Sequence, residues 1–164
     1  MGERIVFWLP PQVALPNYVG VLRRATVKDF FIHTWIEEFY FEVFGTIKTM
    51  GTLSQVAWAS SSAQAERPAP PPCEGTSPLD PFLFVLWHET KPVGMGALHE
   101  GCRLNLIYVP QEFRGVGHGR TIVVALAKVV RSLGNIPVLH TDDSNQIAKN
   151  LYKSVGFLEG LPQE

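Results

Sequence analysis

The segment from Leu104 to Arg120 carries the residues best suited to chemistry, because an apolar strand pattern runs into a glycine-rich turn and then a helix pattern. Gly115, Gly117 and Gly119 lack the Cβ atoms that would keep an anion away from the main chain. Unpaired N–H groups at a helix start add hydrogen-bond donors and the positive end of a dipole. The segment therefore predicts a binding loop for a pyrophosphate.

Two common phosphate-binding motifs do not fit this loop. A P-loop needs Gly-Lys followed by Ser or Thr, and the chain has no such sequence. The stretch GVGHGR at 115–120 lacks the third glycine of the dinucleotide-binding fingerprint, which argues against an NAD-type dehydrogenase. We expect a nucleotide of another kind.

The loop resembles that of the acetyl-CoA-dependent GNAT acyltransferase superfamily, whose Arg/Gln-x-x-Gly-x-Gly/Ala motif is met by Arg114, Gly117 and Gly119. The stretch HTDDSNQIAKNLYKSVGF at 140–157 is similar to the family's later strand–helix unit, with matches at Asn145, Ala148, Tyr152, Gly156 and Phe157. Within the superfamily, the chain is most similar to the branch related to glycine N-acyltransferase. The similar segments are 109–119, Leu139–Asp142, PVGMGAL at Pro92–Leu98 and an aromatic-acidic helix around Trp35–Gly45.

The resemblance implies a GNAT-like α/β fold, with a mixed, mostly antiparallel twisted sheet flanked by helices and without the usual final strand. It implies acetyl-CoA or another acyl-CoA as co-substrate. The cofactor-binding residues would be Ile107, Tyr108, Val109, Arg114, Gly115, Val116, Gly117, His118, Gly119, Arg120 and Asn145.

Roles within this set follow from the same resemblance. The family opens a gap between the strands equivalent to Arg103–Val109 and Pro137–Thr141, so backbone N–H groups at Ile107–Val109 would face the thioester and donate hydrogen bonds to its developing oxyanion. Arg114 would bond a phosphate, although a solvated loop charge is the alternative. His118 either contacts phosphate or faces solvent, and Asn145 either caps the last helix or bonds the pantetheine amide.

Tyr152 is the candidate catalytic acid. In the resembling family a tyrosine at this position points toward the CoA sulfur, and a phenol with an ordinary pKa of about 10 holds its proton at neutral pH. The competing interpretation is an ordinary aromatic residue of an amphipathic helix.

The sequence does not identify a general base. Asn105 stands on the strand where many relatives carry a carboxylate, and an amide does not accept a proton usefully. Glu112, His140 and Asp142 remain candidates, of which His140 and Asp142 share a strand face. The alternative is that both face water at the end of their strand.

Patterns along the chain predict elements that position these residues. We expect a strand at Tyr18–Arg24, a helix from a capping box at Thr26 and Asp29 to about Phe44, and a hairpin of Phe82–His88 and Pro92–Leu98. Further strands are predicted at Arg103–Val109, Pro137–Thr141 and Phe157–Leu158, and further helices at Thr46–Ala63, Gly117–Leu133 and Ser144–Val155. The first helix is apolar around so much of its surface that some of its rings are candidates to line a pocket.

One domain, 1–164, accounts for the whole length, with a Pro/Ser-rich loop at 60–81 and an N-terminal extension at 1–17. The resembling family usually continues through another strand, whereas this chain stops at Glu164. The apolar run Ile5–Leu9 is therefore the candidate to cover the open sheet edge, in its own subunit or in a homodimer. A frayed terminus is the alternative.

Composition limits the partners and the compartment. A net charge of −1 gives no electrostatic reason to expect a nucleic-acid partner, since proteins that bind nucleic acid usually show a basic face. Cys73 and Cys102 are too few for a disulfide framework, and His33, His88 and His99 show no metal-ligand spacing, so we expect no metal. The two cysteines are expected to be reduced thiols, which favours the cytoplasm. The start of the chain has too short an apolar run for a signal-peptide core or a membrane span, so we expect no membrane partner.

These patterns predict an N-acyltransferase that moves an acetyl or other acyl group from acyl-CoA to a primary amine by direct attack. A small-molecule amine is the preferred acceptor, because the sequence shows neither a long acidic groove nor a basic tail. The alternative is a non-catalytic acyl-CoA sensor or interaction module, which the missing strand carboxylate favours.

Overall fold

The computed structural model describes residues 3–26, 28–44, 82–99 and 103–162. In chain order the elements are the strands β1 (Arg4–Trp8) and β2 (Val21–Arg24), helix α1 (Phe31–Phe44), strands β3 (Phe82–His88), β4 (Lys91–His99) and β5 (Arg103–Tyr108), a short 3-10 turn (Gln111–Phe113), helix α2 (His118–Ser132), strand β6 (Val138–Asp142), helix α3 (Gln146–Val155) and strand β7 (Leu158–Glu159).

All seven described strands form one sheet in the order β2-β3-β4-β5-β6-β1-β7. Its pairs are antiparallel except for β5 with β6. One side packs against α2 and α3 through buried residues that include Ile122, Leu126 and Tyr152. The other packs against α1 through Ile32, Trp35 and Ile36. The predicted mixed, mostly antiparallel α/β fold is confirmed.

Two glycines of β4 let α2 lie close against the sheet. A Cβ atom on Gly94 would come within 2.6 Å of Ile122 Cδ1, and one on Gly96 within 2.7 Å of Leu126 Cδ1. Contacts this short require the Ile122 and Leu126 side chains, or the helix that carries them, to shift. Close packing against β4 therefore positions α2, the helix that begins at the predicted cofactor loop.

The apolar run Ile5–Leu9 is part of the sheet. Strand β1 pairs antiparallel with β6 over five residues, from Arg4 opposite Asp142 to Trp8 opposite Val138, and its other edge pairs with β7. Phe7 and Leu9 are fully buried. The prediction that this run covers a sheet edge is confirmed within the chain's own subunit, so part of the predicted N-terminal extension belongs to the fold.

Most other predicted elements are present with shifted ends. Helix α1 begins at Phe31, because Thr26 and Asp29 form a turn before it in which the Thr26 N–H donates to Asp29 Oδ2 at 2.7 Å. The Pro92–Leu98 strand begins at Lys91, and the turn at Glu89 has a left-handed φ of 59°. The predicted helix at 46–63, the loop at 60–81 and both cysteines lie outside the described residues.

Candidate functional site

The glycine-rich loop has the backbone that its sequence predicted. Gly115 and Gly117 adopt φ values of 86° and 92°, in the left-handed region that favours glycine, and Gly117 is the N-cap of α2. A Cβ atom on either glycine would meet nothing within 4 Å. Open space therefore lies above the backbone where an anion would approach.

Free donors surround this space. Within the described part of the chain, the first N–H of α2 with a partner is that of Thr121, which donates to the Gly117 carbonyl at 3.1 Å. The N–H groups of residues 118–120 are left for a ligand or for water. We call Arg114 to Arg120 the cradle. Its open glycines and free N–H groups fit a pyrophosphate bound at the start of a helix of fifteen residues.

Arg114 has partners that the sequence did not predict. Its Nε donates to the Val109 carbonyl at 2.7 Å, and its Nη2 lies 2.8 Å from both carboxylate oxygens of Glu42 on α1. The guanidinium also lies over the Tyr108 ring, 5.4 Å from its centroid. About two fifths of the Arg114 side chain is exposed, at 41%. Its predicted phosphate contact stays a prediction.

One end of the cradle borders a pocket of about 290 Å³. His118 and Arg120 line this pocket together with Tyr18 and His88. The rings of His88 and His118 are 5.6 Å apart. Burial and the neighbouring His88 lower the pKa of His118. The contribution of His88 was not predicted, because nothing in the sequence signals that the β3–β4 turn meets α2.

Strand β5 contains a bulge opposite β4 and separates from β6 near the predicted thioester position. Met95 pairs with Tyr108 and Ala97 with Asn105, so β5 has one residue more than β4 between these pairs, and Leu106 adopts a φ of 52°. Pairing with β6 stops at Leu104. The gap that the resemblance implied is therefore present between β5 and β6. The oxyanion role of residues 107–109 stays a prediction. No sequence signal marks a leucine for a left-handed backbone.

Tyr152 lies on α3 and is buried, at 8% exposure. Its ring packs edge-on against Phe7 of β1, with centroids 5.8 Å apart, and near Phe157. Burial raises the pKa of Tyr152 to about 12, so the hydroxyl keeps its proton at neutral pH. Its hydroxyl has no hydrogen-bond partner among the described residues.

Asn145 caps α3, because its side-chain oxygen accepts a hydrogen bond from the Ala148 N–H at 3.1 Å. The capping alternative is therefore confirmed. The structure does not test the pantetheine contact.

The candidate bases lie on two segments, Glu112 in the 3-10 turn after β5 and His140 with Asp142 on β6. Asp142 accepts hydrogen bonds from the backbone and hydroxyl of Ser144, in the turn before α3. Burial, then Arg103 and Arg4, lower the pKa of His140. Asn105 lies 3.3 Å from Nε2 of His99, whose pKa burial and then Arg103 lower to about 4. The other His99 ring nitrogen, Nδ1, is buried and has no hydrogen-bond partner among the described residues.

The larger opening of about 910 Å³, which we call the acidic groove, lies between α1 and the end of β5. Four aromatic side chains line it, namely Phe31, Trp35, Phe41 and Tyr108. Four carboxylates line it as well, namely Glu37, Glu38, Glu42 and Glu112. The Tyr108 hydroxyl donates to Glu38 Oε2 at 2.6 Å, and burial, followed by this bond, raises the pKa of Tyr108.

The groove confirms that some rings of the first helix line a pocket, but the sequence analysis missed its charge. The carboxylates do not come from one long acidic stretch, because helix α1 and the distant 3-10 turn supply them together. The sequence feature that could have indicated this negative charge is the pair Glu38 and Glu42. These residues lie four positions apart, on one face of a helix that also carries aromatic residues.

Neither a metal site nor a membrane span is found where the structure is described. No three His, Cys, Asp or Glu side chains of that region are grouped so as to hold a metal ion. None of the described helices has the length and apolar character needed to cross a bilayer.

Comparison with known proteins gives the chain a family. Residues 30–157 match the model described as "Acetyltransferase (GNAT) family". No curated protein sequence matches the chain. Among solved structures, 29 chains match.

One similar structure, titled an acetyltransferase from the GNAT family of Colwellia psychrerythraea, has 16% identity and a TM-score of 0.66 over 98% of this chain. A GCN5-related N-acetyltransferase from Sphaerobacter thermophilus has 17% identity and a TM-score of 0.62 over 96%. A Vibrio cholerae integron cassette protein has 14% identity and a TM-score of 0.55 over 85% of this chain and 86% of its own. The chain spans 53% and 48% of the first two. Identities this low show the fold alone.

Proposed function

Because this chain belongs to the GNAT acetyltransferase family, we propose that it is an N-acyltransferase that uses acetyl-CoA and a small primary amine. The observation that carries this proposal is the cradle, in which open glycines and unpaired N–H groups occupy the start of α2. Bound acetyl-CoA supplies the activated acyl group as a thioester.

The amine nitrogen attacks the thioester carbonyl directly, without a covalent enzyme intermediate. The N–C bond forms, the C–S bond breaks, the amine gives its proton to a base or to water, and the departing thiolate takes one. Backbone N–H groups at Ile107–Val109, next to the bulge at Leu106, stabilise the oxyanion. Tyr152, whose pKa burial raises to about 12, is the proton donor to the thiolate.

The resemblance to the glycine N-acyltransferase branch gives a second, competing proposal for the acceptor. It rests on the motifs at 92–98, 109–119 and 139–142. Its acceptor carries a carboxylate, so the charge of the acceptor that the protein prefers tests this assignment.

Thiol release measures the proposed reaction. The full chain is incubated with acetyl-CoA and a panel of primary amines, and free CoA thiol is followed with a thiol reagent, with mass spectrometry of the product. We expect amine-dependent thiol release and an N-acetylated product. Calorimetric CoA binding with no release for any amine would instead favour the non-catalytic acyl-CoA-binding function.

A further inference from the structure

The acidic groove identifies the acceptor more closely. We propose that it binds an unbranched aliphatic diamine or polyamine, with one amine at the thioester and a second, charged ammonium among the carboxylates. This inference rests on the proposed acyltransferase function, and its test has a binding readout that is separate from turnover.

The charge of the groove supports a cation. Among the described residues, the four lining carboxylates and the Arg114 guanidinium paired with Glu42 carry a combined charge of −3. Among the described residues, Glu37 and Glu112 have neither an ion-pair nor a hydrogen-bond partner. These two carboxylates are therefore available to a ligand ammonium.

The groove also has an aromatic lining, which a solvated acidic surface lacks. Phe31, Trp35 and Phe41 come from α1, and Tyr108 comes from β5. Aromatic faces attract ammonium groups and pack against methylene chains, so the lining suits a molecule that alternates the two. The volume of about 910 Å³ lies within the usual range for small-molecule sites, about 300–1,000 Å³, and therefore fits a small polyamine.

The groove is placed to deliver such an acceptor. Tyr108 and Pro110 line it at the end of β5, where the strand has parted from β6 and before the chain enters the cradle. A neutral amine at the β5 end can attack while the second ammonium stays charged among Glu37, Glu38 and Glu112. An amino acid of equal length places a carboxylate there and is repelled.

Calorimetry on the full chain saturated with CoA tests this inference with three four-carbon probes: a diamine, butylamine and aminobutyrate. We expect the diamine to bind about tenfold more tightly than butylamine, since each partly exposed ionic contact contributes up to about 1 kcal/mol. Aminobutyrate should bind more weakly than butylamine. The preference for the diamine should shrink as salt is added.

Variants assign the effect to the groove. Glu37→Gln with Glu112→Gln should reduce diamine affinity about tenfold with little change for butylamine. Glu3→Gln, at an exposed glutamate just before β1 and outside the groove, is the matched control and should leave diamine binding unchanged. Equal affinity for diamine and butylamine would overturn the inference, as would unchanged diamine affinity in a folded double variant.

Turnover separates failure of the inference from failure of the proposed function. A preference for the diamine in calorimetry without thiol release from any amine would refute the acyltransferase but support the groove's cation specificity. Turnover of butylamine with no preference for the diamine would refute the groove assignment and leave the acyltransferase intact.

Discussion

The Arg114 guanidinium joins the cradle to the acidic groove, because its Nη2 lies 2.8 Å from both carboxylate oxygens of Glu42 while its Nε bonds the Val109 carbonyl. The same positive charge is therefore within reach of the proposed phosphate and of the proposed acceptor site. A phosphate that draws Arg114 away from Glu42 would leave a further free carboxylate in the groove.

Glu42→Gln tests whether these two sites compete for Arg114. We expect the variant to bind CoA up to about fivefold more tightly, because an exposed ion pair contributes about 0–1 kcal/mol and its loss frees the guanidinium. Calorimetry with CoA measures the change, and Glu3→Gln is the control. Weaker CoA binding by the variant would mean that Glu42 holds Arg114 in place for the phosphate.

Gly117→Asp should abolish CoA binding, because it adds bulk and negative charge at the cradle. Gly134→Asp is the matched control, since Gly134 follows the other end of α2 with a φ of 80° and also has nothing within 4 Å of its added Cβ. Both substitutions strain a left-handed backbone, so they should lower the melting temperature alike. If both variants keep parental CoA affinity while folded, the cradle is not the CoA site.

The cradle and the Arg114–Glu42 pair differ in how far the sequence predicts them. The glycines allow a left-handed local backbone conformation, so the cradle could be predicted from residue type and spacing alone. The Arg114–Glu42 pair joins residues 72 positions apart, and the bulge at Leu106 has no residue signature. Both depend on how distant segments pack, which a local pattern does not encode.

Tyr152→Phe should lower turnover by about ten- to a thousandfold, since one general acid contributes about that range. CoA affinity and the melting temperature should change little, because the hydroxyl has no hydrogen-bond partner among the described residues. The raised pKa of about 12 also predicts no loss of the acid form below about pH 10. Unchanged turnover under conditions where chemistry limits the rate would exclude Tyr152 from proton transfer.

His99 should make the protein sensitive to acid. Burial lowers its pKa to about 4 in the folded state, so below about pH 6.5 the unfolded chain binds a proton that the folded chain refuses. The stability that neutral His99 contributes is present above about pH 6.5 and is lost as the pH falls toward 4.

His99→Gln should therefore flatten the fall in melting temperature between these pH values. His33→Gln, which removes a half-buried histidine from α1, is the comparison. An equal fall in the parent and in His99→Gln would exclude His99 as the acid-sensitive group.

Strand β1 should contribute to stability in two ways that separate variants can resolve. Phe7→Ala keeps the strand but leaves a cavity beside Tyr152, and large aromatic truncations in a core cost about 3–5 kcal/mol. Deletion of residues 1–11 removes Phe7 and Leu9 and also exposes the β6 edge. We expect both proteins to melt at lower temperature, and only the deletion to self-associate in sedimentation, because only it leaves unpaired strand N–H and C=O groups. If the deletion melts as the parent does and stays monodisperse, β1 does not cover the edge in solution.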